Sequence, residues 1–205
     1  MLERVHGEVV RTQSVSLTFV RLILASASPR RADLLAAAGF AFDVQPVEID
    51  ERVLPAELPV VYVARLAIAK AREVARRNSG RPVLGADTAV VVDDRILGKP
   101  GNDREAAEML RMLSGRSHDV LTGVALCLDD REAHEVSRTR VRFLHVSTAE
   151  VAWYVASGEP LDKAGGYAVQ GLASRFVESI DGSYSNVVGL PVAAVYRLLK
   201  EFGVA

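Results

Sequence analysis

Residues 119–128 and 134–146 read as two alternating strands on either side of the turn Asp129-Asp130. A period of two puts one face of a strand in a core and the other in water. This stretch is therefore expected to form a long antiparallel pair, and its strands need partners. The rest of the chain supplies them as short apolar runs at 21–25, 40–44, 83–92 and 176–180, with helical signals between. Ser28 and Pro29 open a helix with Leu34, Leu35 and Ala38 on its apolar face, ended by Gly39. Pro59 opens a longer one, to about residue 78, with Val63, Leu66, Ala67 and Lys70 on one face. Asp93-Asp94 turns the 83–92 run into a short strand ending at Gly98-Lys99-Pro100. Asn102 with Glu105, and Ser147 with Glu150, have capping-box spacing for helices that stop near Gly115 and Gly158. Pro191 starts the last helix. No repeat, low-complexity tract or linker breaks the series, so the reading is one mixed α/β domain with two lobes around a cleft. Residues 1–19 are set apart as an extension, with 14–19 read as either a short strand or part of a disordered tail.

Composition narrows the function classes. Hydrophobic residues make up 49% of the 205, which suits a folded chain and not a disordered one. A net charge of −1 argues against a dedicated binder of the nucleic-acid backbone. It hides an acidic block at 43–57, five carboxylates against Arg52, beside a basic one at 65–81, six cations against Glu73. The basic block lacks the interleaved aromatics that stacking on single-stranded nucleic acid would need. Cys127 is the one cysteine, so no intramolecular disulfide is expected and a reducing cytoplasm is the simpler setting. No apolar run reaches membrane-spanning length, and the first twenty residues do not read as a secretory signal. Of the 25 basic residues only Lys70, Lys99, Lys163 and Lys200 are lysine. Where arginine is the default, a retained lysine can mark a need for a compact point charge.

Five segments could carry chemistry, and each has a bland alternative. SASPRR (26–31) joins a strand to a helix N-terminus, where free N–H groups, the helix dipole, two hydroxyls and two guanidinium groups could cradle phosphates. It could equally be a capped helix with solvated arginines. Asp87 in GADT (85–88) stands inside an apolar strand, a costly place for a carboxylate unless it is paired, hydrogen-bonded or metal-bound. The plain alternative is an Asp in a bulge. The acidic run 47–51 could hold Mg²⁺ or be a solvated loop. Residues 161–171 carry adjacent glycines that allow close backbone approach, Lys163 for a phosphate and Gln170 for a base edge, or they form a flexible turn. SYSNVVGLP (183–191) reads as a plain connection to the last helix. The four histidines lack metal-ligand spacing, Cys127 reads as a packed thiol, and Trp153 and Tyr154 are expected in the core.

Taken in order, SASPRR (26–31), EIDE (48–51), RLAIAKA (65–71), GADTAV (85–90), LGKP (97–100), MLRMLSGRSHDVLTGV (109–124), EPLDKAGGYAVQG (159–171) and SYSNVVGLP (183–191) resemble the Maf family of nucleoside triphosphate pyrophosphatases over roughly 20–205. The resemblance implies a Maf/ITPase-like mixed α/β domain around a nucleotide cleft. It implies hydrolysis of a nucleoside triphosphate to the monophosphate and pyrophosphate with a divalent cation, Mg²⁺ or Mn²⁺. By the motif, Asp87 would accept the proton of the attacking water, and Glu51 with Asp87 would hold the metal. Ser26, Arg30, Arg31, Lys70, Lys99 and Lys163 would meet the phosphates. Arg30, Thr88 and Gln170 resemble the branch acting on dTTP and UTP, with modified pyrimidine nucleotides as relatives. A glutamine amide can donate to a uracil or thymine carbonyl and accept from N3–H. A second branch, acting on 7-methyl-GTP, is the nearest alternative, followed by a non-catalytic nucleotide-binding regulator of division. The family also implies a homodimer, a role in nucleotide-pool sanitation and restraint of septum formation, with no membrane or stable nucleic-acid partner.

Overall fold

A computed structural model of the chain describes residues 20–204, so the 1–19 extension, with the strand read at 14–19, and residue 205 lie outside the described residues. The expected α/β architecture is present as a seven-stranded mixed sheet. The strands are β1 (Leu22–Ala25), β2 (Phe42–Val44), β3 (Val83–Val92), β4 (Arg95–Leu97), β5 (Ser117–Leu128), β6 (Arg131–Phe143) and β7 (Val177–Asp181). The helices are α1 (Pro29–Ala37), α2 (Pro59–Ala75), α3 (Asp103–Leu113), α4 (Thr148–Ala156), α5 (Tyr184–Val188) and α6 (Val192–Glu201). The order across the sheet is β2-β1-β3-β5-β6-β7, with β4 also on β3. β1 runs parallel to β2 and β3, while β3, β5, β6 and β7 form an antiparallel series.

The strand at the centre of this order explains where a site can form. β3 is apolar almost throughout because both its faces are covered. One edge of it pairs with β5 over residues 83–91. The other edge pairs with β1 only at 83–85 and with β4 only at 90–92. Residues 86–89 therefore face a notch between β1 and β4. β1 also ends beside this notch and hands the chain to α1, so a strand's carboxyl end and a helix's N-terminus meet there. Open α/β sheets bind ligands at such places.

α2 lies on one face of the sheet at unusually short range. A Cβ on Gly85 would sit 2.2 Å from the carbonyl oxygen of Ala67, and one on Gly123 would sit 2.4 Å from that of Val63. Only glycine lets the helix backbone settle this closely. Gly123 stands opposite Asp87 in the β3–β5 register, so the close approach falls beside the carboxylate. The other face carries two apolar cores. One gathers Leu22, Leu35, Leu84, Leu126, Leu190 and Leu198 under α1 and α6. The second gathers Val90, Leu110, Phe143, Tyr154 and Phe176 under α3 and α4. These are the two expected lobes.

Several local expectations need correction. The strand expected at 40–44 is shorter and begins at Phe42, and α2 ends at Ala75 before residue 78. Ser28 takes the N-cap position of α1 without a side-chain cap bond. The Asn102 side chain caps α3, but Glu105 reaches the N–H of Gly101 and not that of Asn102, so that capping box is half formed. The Ser147–Glu150 box is complete. Tyr154 is fully buried as expected, whereas Trp153 is 42% exposed and stacks under Arg175 at 4.2 Å. The 183–191 stretch is not a plain connection, because it folds into α5 and buries Asn186 completely. Among the described residues no helix is long and apolar enough to cross a membrane.

Candidate active site

The notch opens into a cleft of about 340 Å³ between the lobes. Every residue singled out from the sequence lines it: Ser26, Arg30, Arg31, Glu51, Lys70, Asp87, Thr88, Lys99, Lys163 and Gln170. Five cationic side chains face three anionic ones there, the third carboxylate being Asp162. Such a surplus favours a polyanion.

At the centre stands Asp87, 7% exposed, on the face of β3 that α2 covers. α2 carries Lys70 one turn beyond Leu66, so a helix whose neighbouring residues pack in the core delivers an ammonium into the cleft. Its Nζ lies 2.6 Å from Asp87 Oδ1 and 2.6 Å from Glu51 Oε1. Burial pushes the Asp87 carboxyl above the usual range, and the positive charges of Lys70 and Arg31 only partly offset this. Glu51 is half exposed; its partial burial acts upward, but the Lys70 bond and charge, aided by Lys99 and Arg31, hold it below the usual range. Two carboxylates thus share one cation and stand on opposite sides of the ordinary carboxylate pKa.

The neighbouring residue, Thr88, points to the other face. Arg31 braces it there. Arg31 is 8% exposed and uses all three of its nitrogens: Nε donates to the Gly189 carbonyl at 2.8 Å, Nη1 to Ser26 Oγ at 2.9 Å and Nη2 to Thr88 Oγ1 at 3.1 Å. Its guanidinium is a strut between β1, β3 and α5, with the remaining Nη protons left over for a ligand. Thr88 continues to Thr122 at 3.0 Å, and Thr122 donates to the carbonyl of Asn186. Asn186 Nδ2 donates to the Val120 carbonyl and to Thr139 Oγ1, each at 3.0 Å. Sequence reasoning missed Asn186. The available signal was an amide at the fourth position of a polar segment feeding a helix.

The mouth of the cleft is lined from both lobes. Arg30 on α1 and Lys163 on the far lobe both grip Asp162, at 3.3 and 2.5 Å. Lys99 and Gln170 are exposed and make no hydrogen bond or ion pair among the described residues. The charged blocks of the sequence contribute less than their size suggested. Asp43, Asp50 and Glu57 are occupied by Arg21 and Arg81, by Arg52 and by Arg65. Arg72, Arg76 and Arg77 pair with Glu132 and Glu73. Of the charged residues in the two blocks only Glu51 and Lys70 line the cleft.

Chemically, the arrangement can place a buried base beside a polyanion held by cations and a helix N-terminus. The oxygen donors Glu51 and Asp87 suit a hard divalent cation, and the Lys70 ammonium between them marks a position where positive charge is stabilised. Among the described residues no cluster of three His, Cys, Asp or Glu could hold a metal, so phosphate oxygens and water would have to complete its shell.

The chain is 51% identical over 183 residues to a dTTP/UTP pyrophosphatase of Symbiobacterium thermophilum, covering 89% of this chain and 94% of that one. It is 51% identical to one of Anaeromyxobacter dehalogenans, with the same coverage, and 48% identical to one of Bacillus cereus, covering 90% and 96%. Among solved structures, the Staphylococcus aureus Ham1 protein is 11% identical, covers 89% of this chain and 97% of that one, and superposes with a TM-score of 0.48. The Maf-like protein family matches residues 21–202, and with these relatives it establishes that the chain belongs to the Maf family.

Proposed function

We propose that this protein hydrolyses pyrimidine nucleoside triphosphates, dTTP and UTP first and modified relatives second, to the monophosphate and pyrophosphate. The observation that carries this reading is the pairing of a buried, upshifted Asp87 with cations from both lobes in one cleft. The names of the relatives at about half identity point the same way.

Asp87 accepts the proton of the water that attacks the α-phosphorus, and its raised pKa makes it the stronger base. Lys70, Lys99, Lys163 and Arg30 hold the triphosphate and balance charge that builds on its oxygens. Ser26 and Arg31 fix the phosphate end from the α1 N-terminus, and Thr88 is held in register by the same Arg31. Gln170 reads the pyrimidine edge through its amide. Glu51 and Asp87 would hold Mg²⁺ or Mn²⁺, which when bound supplies charge neutralisation at the reacting phosphate. The same reading makes the enzyme a cytoplasmic homodimer, with Leu54, Leu58, Val60 and Val61 exposed around the start of α2 as support. Nucleotide-pool sanitation and restraint of septum formation are the cellular roles that the family resemblance attaches to this reading.

The test is a panel of nucleoside triphosphates incubated with purified protein and Mg²⁺ or Mn²⁺, scored for pyrophosphate. Turnover is expected on dTTP and UTP and lost in Asp87→Asn. Turnover on 7-methyl-GTP alone would move the protein to the other branch. Tight dTTP binding with no pyrophosphate released would make it a regulator.

A further inference from the structure

The segment 159–173 forms one wall of the cleft and carries Lys163 and Gln170, yet Gln170 has no bond of its own to fix it. What fixes the segment is a carboxylate outside the cleft. Glu159 Oε2 accepts from the N–H of Leu172 at 2.9 Å, and Oε1 accepts from the hydroxyl of the fully buried Tyr154 at 2.8 Å. The N–H of Ala173 adds a third, longer contact at 3.5 Å. The first residue of the loop thereby grips its last two. Gly171 makes room for this: a Cβ there would lie 2.3 Å from Glu159 Oε1. The carboxylate therefore sits under the residue that follows Gln170. Midway along, Tyr167 is anchored separately by its hydroxyl to the buried His118 at 2.8 Å.

We propose that Glu159 is a positioning residue for base recognition, fixing where Gln170 stands without touching the nucleotide. The proposal rests on the reading that Gln170 meets the pyrimidine edge. A site built to hydrogen-bond a base rejects the analogue that lacks the match only if the reader is held in place. Lys163 is held differently, by the backbone carbonyl of Glu159 at 2.8 Å and by Asp162, and replacing the Glu159 side chain leaves both of those groups. Base reading and phosphate binding are thus separable in this one loop.

The experiment measures kcat and KM for UTP and CTP, and the inhibition constant of pyrophosphate, in Glu159→Ala, Glu159→Gln, Gly171→Ala and Gln170→Ala. In Glu159→Ala, the UTP KM is expected to rise about tenfold, the size of one lost aligned hydrogen bond. The preference for UTP over CTP should fall by the same factor, with kcat and pyrophosphate inhibition within about twofold of wild type. Glu159→Gln keeps one carbonyl acceptor and should fall between. Gly171→Ala unseats the carboxylate while keeping it, and should show the same pattern if Glu159→Ala does not fold. An equal loss in UTP turnover, CTP turnover and pyrophosphate binding would mean a merely structural role and overturn the proposal. An unchanged UTP preference in Glu159→Ala and Gly171→Ala, with the preference lost in Gln170→Ala, would overturn it while leaving the Gln170 reading intact. If Gln170→Ala itself keeps the preference, that reading fails and takes the proposal with it.

Discussion

A single side chain matters here mainly through what it is forced to face. Asp87 is affordable inside β3 because Lys70 and Arg31 supply positive charge, and the same burial that makes it costly makes it a better base. His118 is the opposite case, a titratable group kept neutral. It is 3% exposed, edge-on to Phe143, and bonded to Tyr167; burial lowers its pKa to about 4, against a weaker upward pull from Asp119. The unfolded chain binds this proton near pH 6.5 and the folded chain only near pH 4. Its stability contribution is therefore complete above pH 6.5 and is lost progressively as the pH falls through about 4. The full effect is on the order of 3 kcal/mol. Thermal melts across this window should show a steep acid loss in the wild type and a shallower one in His118→Gln, which cannot titrate. Equal slopes would mean that His118 is protonated in the native fold.

At the scale of elements, the strength of each sequence signal follows its locality. The strands β5 and β6, the apolar run of β3 and the Ser147 capping box are written in contiguous residues, and each is present, although β5 is buried on both faces from Val120 to Cys127 and does not leave one face in water. The residues of the cleft were also legible, because a carboxylate in β3 and a lysine on the apolar face of α2 are local anomalies. The partnerships were not. That Asp43 spends its charge on Arg21 and Arg81, or that Arg31 spends three nitrogens on the protein, depends on contacts far apart in the chain. Gly85 and Gly123 show the same limit: alone they look like weak strand residues, and only the seat of α2 gives them a reason. Gly123→Ala forces a Cβ to within 2.4 Å of the Val63 carbonyl, and backbone cannot swing aside as a side chain can. The expected cost in denaturant unfolding is about 1–3 kcal/mol, typical of overpacking. α2 must lift to relieve it and takes Lys70 from Asp87, so kcat should fall even at temperatures where the variant is fully folded. A folded variant with normal kcat would show that the Lys70 position tolerates a displaced helix.

Across the whole molecule, the two lobes meet at the cleft mouth through one small ionic cluster. Arg30 belongs to the α1 lobe, Asp162 and Lys163 to the other, and the Asp162 carboxylate takes one cation on each oxygen. A carboxylate between two cations offers them what a substrate phosphate would, so Asp162 competes with the substrate for both. Asp162 is 67% exposed, and exposed pairs are worth only about 0–1 kcal/mol, so this contact is a weak competitor and not a lock. Asp162→Asn should release Arg30 and Lys163 and add one positive charge to the cleft. KM for UTP and the inhibition constant of pyrophosphate are then expected to fall together by about two- to fivefold at low salt, and stability should move by less than about 0.5 kcal/mol. The gain should shrink as ionic strength rises, because the charges at the mouth are open to solvent. If KM rises instead, the carboxylate acts with the bound nucleotide and does not stand in for its phosphate.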